Sequence, residues 1–151
     1  MTPELLFTIC NNSVLPVWLL LFVAPGWKGT QLIVHSCAIP LLLCVVYGAL
    51  AATNFFGGEG DFFSLGGVTA IFQNPYALVA GWVHYLVFDL FIGAWEARDA
   101  KRLGISHIAM VPCLFFTLML GPVGLLLYFI LRWTLRGKFI VDESQAAGEP
   151  A

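Results

Sequence analysis

Residues 76–97 read Tyr-Ala-Leu-Val-Ala-Gly-Trp-Val-His-Tyr-Leu-Val-Phe-Asp-Leu-Phe-Ile-Gly-Ala-Trp-Glu-Ala, a run long enough to cross a bilayer that carries His84 and Asp89 near its middle. A spanning helix needs about 20 apolar residues at 1.5 Å rise each. An ionisable group at that depth costs roughly 2.5 to 3.5 kcal/mol on insertion scales and is usually kept because something uses it. The rest of the chain agrees with a membrane setting. It has 151 residues, of which 60% are hydrophobic and 11% charged, where soluble domains carry about 25% charged residues. The net charge of −2 argues against nucleic-acid binding, which needs a basic surface.

Four segments are long and apolar enough to be spans, at roughly 5–24, 31–52, 76–97 and 105–131. The expected fold is therefore all-α: a polytopic four-helix membrane bundle over residues 1–138, with a polar, disordered tail over 139–151. Pro25 and Gly26 close the first helix and turn tightly. Residues 54–74 are Gly-rich and too short to span, which predicts an interfacial or re-entrant loop between the second and third helices. The short charged loop at 98–104 makes the third and fourth helices a hairpin. No basic residue precedes Leu5 and no small-residue cleavage site follows, so the first segment reads as a span and not as a secretory signal. Without a Ser- and Arg-rich leader, the expected location is a bacterial cytoplasmic membrane. Orientation stays open. Lys28, Arg98, Lys101 and Arg102 fall on one side of such a bundle, and Arg132, Arg136 and Lys138 on the other.

Depth along each span sorts the polar residues into two layers. His84 and Asp89 lie within about 5 Å of the midplane, with Asn11 and Asn12 at similar depth and Thr117 mid-helix. Towards the short turns lie His35, Glu96, Asp99 and His107. At 100° per residue, with His84 at zero, Trp95 falls at about 20°, Phe88 at 40°, Asp99 at 60°, Tyr85 at 100°, Glu96 at 120° and Asp89 at 140°. One polar-aromatic face towards the bundle interior is the expected arrangement, and a lined interior can hold an elongated apolar ligand. Each residue also has a structural reading. His84 can hydrogen-bond Asn11 or Asn12, Glu96 and Asp99 can pair with Arg98, Lys101 or Arg102, and the Gly121-Pro122-Val123-Gly124 break can kink a helix so that backbone groups line a cavity. The four cysteines lie in apolar segments with no zinc-like spacing.

The run His84-Tyr85-Leu86-Val87-Phe88-Asp89-Leu90-Phe91-Ile92-Gly93, followed by Asp99, His107, Pro112-Cys113-Leu114 and Gly121-Pro122-Val123-Gly124-Leu125-Leu126-Leu127-Tyr128, resembles the abscisic-acid-deficient-four-like membrane proteins. Plant members are needed to make neoxanthin from violaxanthin, so the resemblance implies carotenoid or other isoprenoid-lipid chemistry. Opening an epoxide to an allenic alcohol is an isomerisation in which a carbon loses a proton and the epoxide oxygen gains one, with no redox cofactor. On that reading protonated Asp89 is the acid and neutral His84 the base, with Glu96, Asp99 and His107 also placed in the catalytic set. Asn12, Tyr85, Phe88, Trp95 and Thr117 would bind or orient the substrate. Two other functions stay in view. One is a carotenoid- or lipid-binding accessory protein without catalysis. The other is a metal-dependent membrane enzyme that takes iron or zinc on His35, His84, Asp89, Glu96, Asp99 and His107. A transporter fits poorly, because four spans without an internal repeat lack the usual architecture. Expected partners are the lipid substrate, membrane lipids and a second copy of the bundle.

Overall fold

The computed structural model describes residues 1–34, 36, 38–56 and 60–141. Among these the chain forms helices and no strand: α1 (Pro3–Val23), α2 (Lys28–Ile33), α3 (Ala38–Asn54), α4 (Leu65–Phe72), α5 (Pro75–Arg102), α6 (His107–Leu120) and α7 (Pro122–Arg136). Local chemistry sets the boundaries. Thr2 caps α1 by accepting from the Leu5 N–H, and Asn74 caps α5 by accepting from the Tyr76 N–H. A proline follows each cap at the position where a helix has no use for an N–H. Ser64 caps α4 by accepting from Gly67.

Three helical stretches, Pro3–Val23, Lys28–Asn54 and Pro75–Arg102, are long and apolar enough to cross a membrane. The 28-residue α5 is the hub, about 42 Å long. α1 runs parallel to it. Tyr76 donates to the Met1 carbonyl at one end (3.1 Å), Trp82 donates to Asn11 further along (3.1 Å), and Trp18 lies against Gly93 beyond the middle. α3 runs the opposite way, with Asn74 donating to Asn54 (3.2 Å) and Tyr47 beside His84. α4 has eight residues and packs on α5 at the end where Met1 sits. The 54–74 region thus contributes a short helix; its residues 57–59 lie outside the described residues, as do His35, Cys37 and 142–151.

The expected fourth span is corrected by the structure. Residues 105–131 do not form one helix. They break at Gly121, whose φ of 47° and ψ of −95° suit glycine, and Pro122 starts a new helix. α6 and α7 then fold back on each other as a helical hairpin. α6 follows α5 inwards: Thr117 meets Glu96, and the Leu118 carbonyl accepts from the Tyr85 hydroxyl (3.2 Å). The tip lies beside Asp89, the nearest side chain to any Cβ placed on Gly121. α7 returns the same way, with Tyr128 and Arg132 on Asp99 and Arg136 on the Gly104 carbonyl. Close approach of the two arms needs Gly124, where a Cβ would collide with the Thr117 backbone. At 14 and 15 residues each arm is about 21 to 23 Å long, too short for a hydrocarbon core of about 30 Å. Among the described residues the fold thus has three helical stretches of spanning length and a shorter hairpin that ends beside Asp89.

That correction also changes the charge distribution. The hairpin returns α7 to the end from which α6 set out, so Arg132, Arg136 and Lys138 join Lys28, Arg98, Lys101 and Arg102. All seven Lys and Arg residues of the chain lie at one end. We call it the basic end.

Candidate functional site

Because the hairpin enters from the basic end and stops beside Asp89, the other half of α5 is left uncovered on that flank. There α1, α4 and α5 enclose an apolar groove of about 690 Å³ lined by Phe7, Phe72, Leu78, Gly81, Trp82 and Tyr85 among others, with Glu4 and Thr8 at its rim. Trp82 and Tyr85 stack at 5.2 Å, and Phe7 lies 5.6 Å from Trp82. Leu78 is 57% and Trp82 38% exposed, so the groove opens sideways. From Pro75 to Tyr85 it descends about 15 Å along α5.

Its floor is Tyr85. In a continuous helix the Leu118 carbonyl would accept from residue 122, but Pro122 has no N–H. Tyr85 takes up that orphaned acceptor. The same hydroxyl is within hydrogen-bonding reach of Asp89, one turn further along. Asp89 is buried against the hairpin tip, and its Oδ2 has no hydrogen-bond partner. A buried, unpaired polar atom costs about 1 to 3 kcal/mol. Tyr85 lines the groove and Asp89, buried one turn beyond it, does not; a phenol backed by an unpartnered carboxyl oxygen is a pair of groups suited to exchanging protons with a bound lipid.

The structure separates the other sequence candidates. His84 sits on the outward side of α5 between Tyr47 and Phe88 (5.5 and 4.6 Å), so it is not brought together with Asp89. Phe88 is 55% exposed beside it and lines no part of the groove. Asn12 faces outwards from α1, while its neighbour Asn11 receives the Trp82 N–H. Glu96 is fully buried, and the Thr117 hydroxyl donates to its carboxylate (3.0 and 3.1 Å). Asp99 is enclosed by Tyr128, which donates to it, and by Arg102 and Arg132, the last 2.9 Å away. Trp95 packs edge-on against Tyr128 at 5.5 Å. His107 donates to the Phe22 carbonyl (2.8 Å), tying α6 to the end of α1. His35 lies outside the described residues. Among the described residues no three of His, Cys, Asp and Glu gather as metal ligands.

The groove residues Phe7, Phe72, Leu78, Gly81 and Trp82 and the Leu118 carbonyl were not singled out as site residues from sequence, and Gly121 only as part of a helix break. The Gly-Pro pair was the available signal, since it predicts both a break and a freed carbonyl.

The model of the ABA DEFICIENT 4-like family matches residues 5–128. The chain is also 24% identical over 143 residues to the Arabidopsis thaliana protein named "Protein ABA DEFICIENT 4, chloroplastic". That alignment covers 88% of this chain and 63% of the relative, so the chain spans under two thirds of the relative's length. No solved structure matches it.

Proposed function

The chain belongs to the ABA DEFICIENT 4-like family, and from that membership and the groove we propose that it binds a carotenoid or other isoprenoid lipid and isomerises its end group by acid/base chemistry. The observation that carries this reading is the unpartnered Asp89 Oδ2 next to Tyr85 at the foot of the groove. The aromatic walls suit a conjugated or branched hydrocarbon, which buries apolar area without asking for hydrogen bonds.

The roles differ from those read in the sequence, because His84 faces away. In our scheme Asp89, as carboxylate, takes a proton from the chain carbon next to the epoxide. The electron pair left behind opens the epoxide's carbon–oxygen bond, and the Tyr85 hydroxyl gives its proton to the released oxygen. The proton on Asp89 then returns to Tyr85 along the contact between them, and both residues end as they began. The product is an isomer of the substrate, so no oxidant or reductant is consumed. Leu118 and the hairpin tip hold Tyr85 at the site.

Asp89→Asn and Tyr85→Phe, produced in a carotenoid-making host, test the scheme. Product in pigment extracts should fall about 100- to 10,000-fold, the usual worth of a positioned acid or base, while pigment still co-purifies with each variant. Full product from Asp89→Asn at normal protein level would refute the catalytic roles. The separation of His84 from Asp89 favours a second reading, a lipid-holding protein without catalysis. It predicts pigment co-purification that neither substitution alters and no product from the wild type.

A further inference from the structure

His84 leaves an unmet hydrogen bond on the outside of the bundle. Its imidazole is exposed, flanked by Tyr47 and Phe88, and among the described residues neither ring nitrogen has a hydrogen-bond partner. It lies near the centre of the 76–97 run, about 3 Å from the midplane. Lipid tails offer no donor or acceptor there, and a bare polar group at that depth costs several kcal/mol. An imidazole is too short to reach the interface from that level. Phe88, 55% exposed, and Phe91, 46% exposed, follow it four and seven residues on, the spacing by which one helix packs along another. α3 extends the same flank. At 100° per residue Cys44 and Gly48 lie about 60° and 100° round that helix from Tyr47, away from buried Leu43, and both are exposed. Nothing lies within 4 Å of where a Cβ on Gly48 would sit. Small residues four apart let membrane helices approach closely.

We infer that this flank pairs with the same flank of a second copy, His84 to His84 across a two-fold axis. Copies inserted alike share one orientation, so the axis runs along the membrane normal and residues beside it meet their own counterparts at equal depth. That symmetry asks for a self-complementary group at the midplane. A neutral imidazole is one, with a donor on one nitrogen and an acceptor on the other. One His84 donates to the other, and Phe88 and Phe91 pack on their counterparts. The groove lies on the flank of Trp82 and Tyr85, so each copy keeps its own open.

Full-length protein labelled at the C-terminus with donor or acceptor fluorophore, mixed in phosphatidylcholine vesicles and diluted with lipid, tests this by energy transfer. Wild type should associate to a limiting stoichiometry of two. His84→Leu should weaken association about 3- to 20-fold, the worth of one hydrogen bond between membrane helices. His84→Asn, which again carries a donor and an acceptor, should restore most of it. Gly48→Leu adds bulk in open space on α3 and should also weaken pairing, which keeps the test usable if the His84 variants misfold; helix content by circular dichroism reports folding. Leu19→Ala, at an exposed position of α1, should leave pairing unchanged. Wild type that stays single at every dilution, pairing that folded His84→Leu and Gly48→Leu leave intact, or an equal loss in Leu19→Ala overturns the inference. So does loss of bound pigment in His84→Leu with pairing unchanged, which would assign the flank to a lipid ligand.

Discussion

The two halves of this molecule bury polar groups on the same helix and treat them in opposite ways. In the basic half, α5 is covered by the hairpin, and both of its acids there have partners: Glu96 has Thr117, and Asp99 has Tyr128, Arg102 and Arg132. In the other half that cover is missing, an apolar groove takes its place, and the carboxyl at the boundary keeps one oxygen unpaired. Depth in the membrane does not separate function from structure here. Pairing of the carboxylates does, although Arg132 Nε in the basic half, 2.9 Å from Asp99, is held by an ion pair without a hydrogen bond. A satisfied buried network holds helices together, whereas an unsatisfied oxygen is a standing cost that the fold has left in place beside a cavity.

The strongest way to break this contrast is at Asp99. Removing Arg132 with Arg132→Met strips a buried partner from the carboxylate and frees the Lys138 and Ile140 carbonyls that Arg132 also holds (3.2 and 2.9 Å). Losing one partner of a buried pair costs about 3 to 5 kcal/mol, so thermal unfolding in detergent should move down sharply. If the protein unfolds at its original temperature, the clasp is not what closes the basic half.

Next comes a paired test of the two carboxyls. Glu96→Gln should lower stability by about 1 to 2 kcal/mol, since it puts an amide NH₂ in place of one of the two buried oxygens that accept from Thr117, and leave product formation in place. Asp89→Asn should do the reverse, removing product with little change in unfolding temperature. The same ranking of both variants in both measurements would erase the distinction between the halves.

A smaller effect should come from the groove itself. Leu78→Trp adds bulk at an exposed wall without touching the buried core. Bound pigment per protein should drop severalfold, with stability changed by less than about 0.5 kcal/mol, as for most surface changes. Undiminished pigment would place the ligand elsewhere.

Hydropathy alone made much of this legible. α1 and α5 fall where apolar runs of spanning length lie, because a bilayer leaves few ways to satisfy a backbone other than a helix. The 105–131 run misled for a definite reason. Hydropathy sums side chains and cannot see that Gly121 takes a positive φ and turns the chain round. Nor does Arg132 look like a core residue at the end of an apolar run; there it reads as an interface anchor. Its place follows from the stripe Gly124, Tyr128, Arg132, buried at intervals of four on α7, which only makes sense once Asp99 is known to lie opposite. The angular argument failed more subtly. His84 and Asp89 share a broad polar arc, but α5 is a hub with neighbours on several sides. The arc is divided, with Tyr85, Asp89 and Glu96 towards the hairpin and His84 with Phe88 outwards.

The smallest effect belongs to the turn that leads into α4, at the rim of the open half. Asp61 lies outside the spans, and the Phe63 and Ser64 N–H groups donate to its Oδ1 at 2.7 and 2.9 Å. The Phe63 hydrogen bond does most to hold its carboxyl below the ordinary range, with Ser64 adding to it. A lowered folded value means that the turn is supported above the unfolded Asp pKa of about 3.9 and loses that support as pH falls through the folded value. Acid titration followed by hydrogen exchange at Phe63 and Ser64 should show these amides opening only below the range in which a free aspartate protonates. Asp61→Asn keeps an acceptor but removes the charge, so it should abolish the pH dependence while leaving α4 in place. If the two amides open at an ordinary aspartate pKa, the turn is not held by this carboxylate. The rim of the groove, which α4 supplies through Phe72, would then rest on packing against α5 alone.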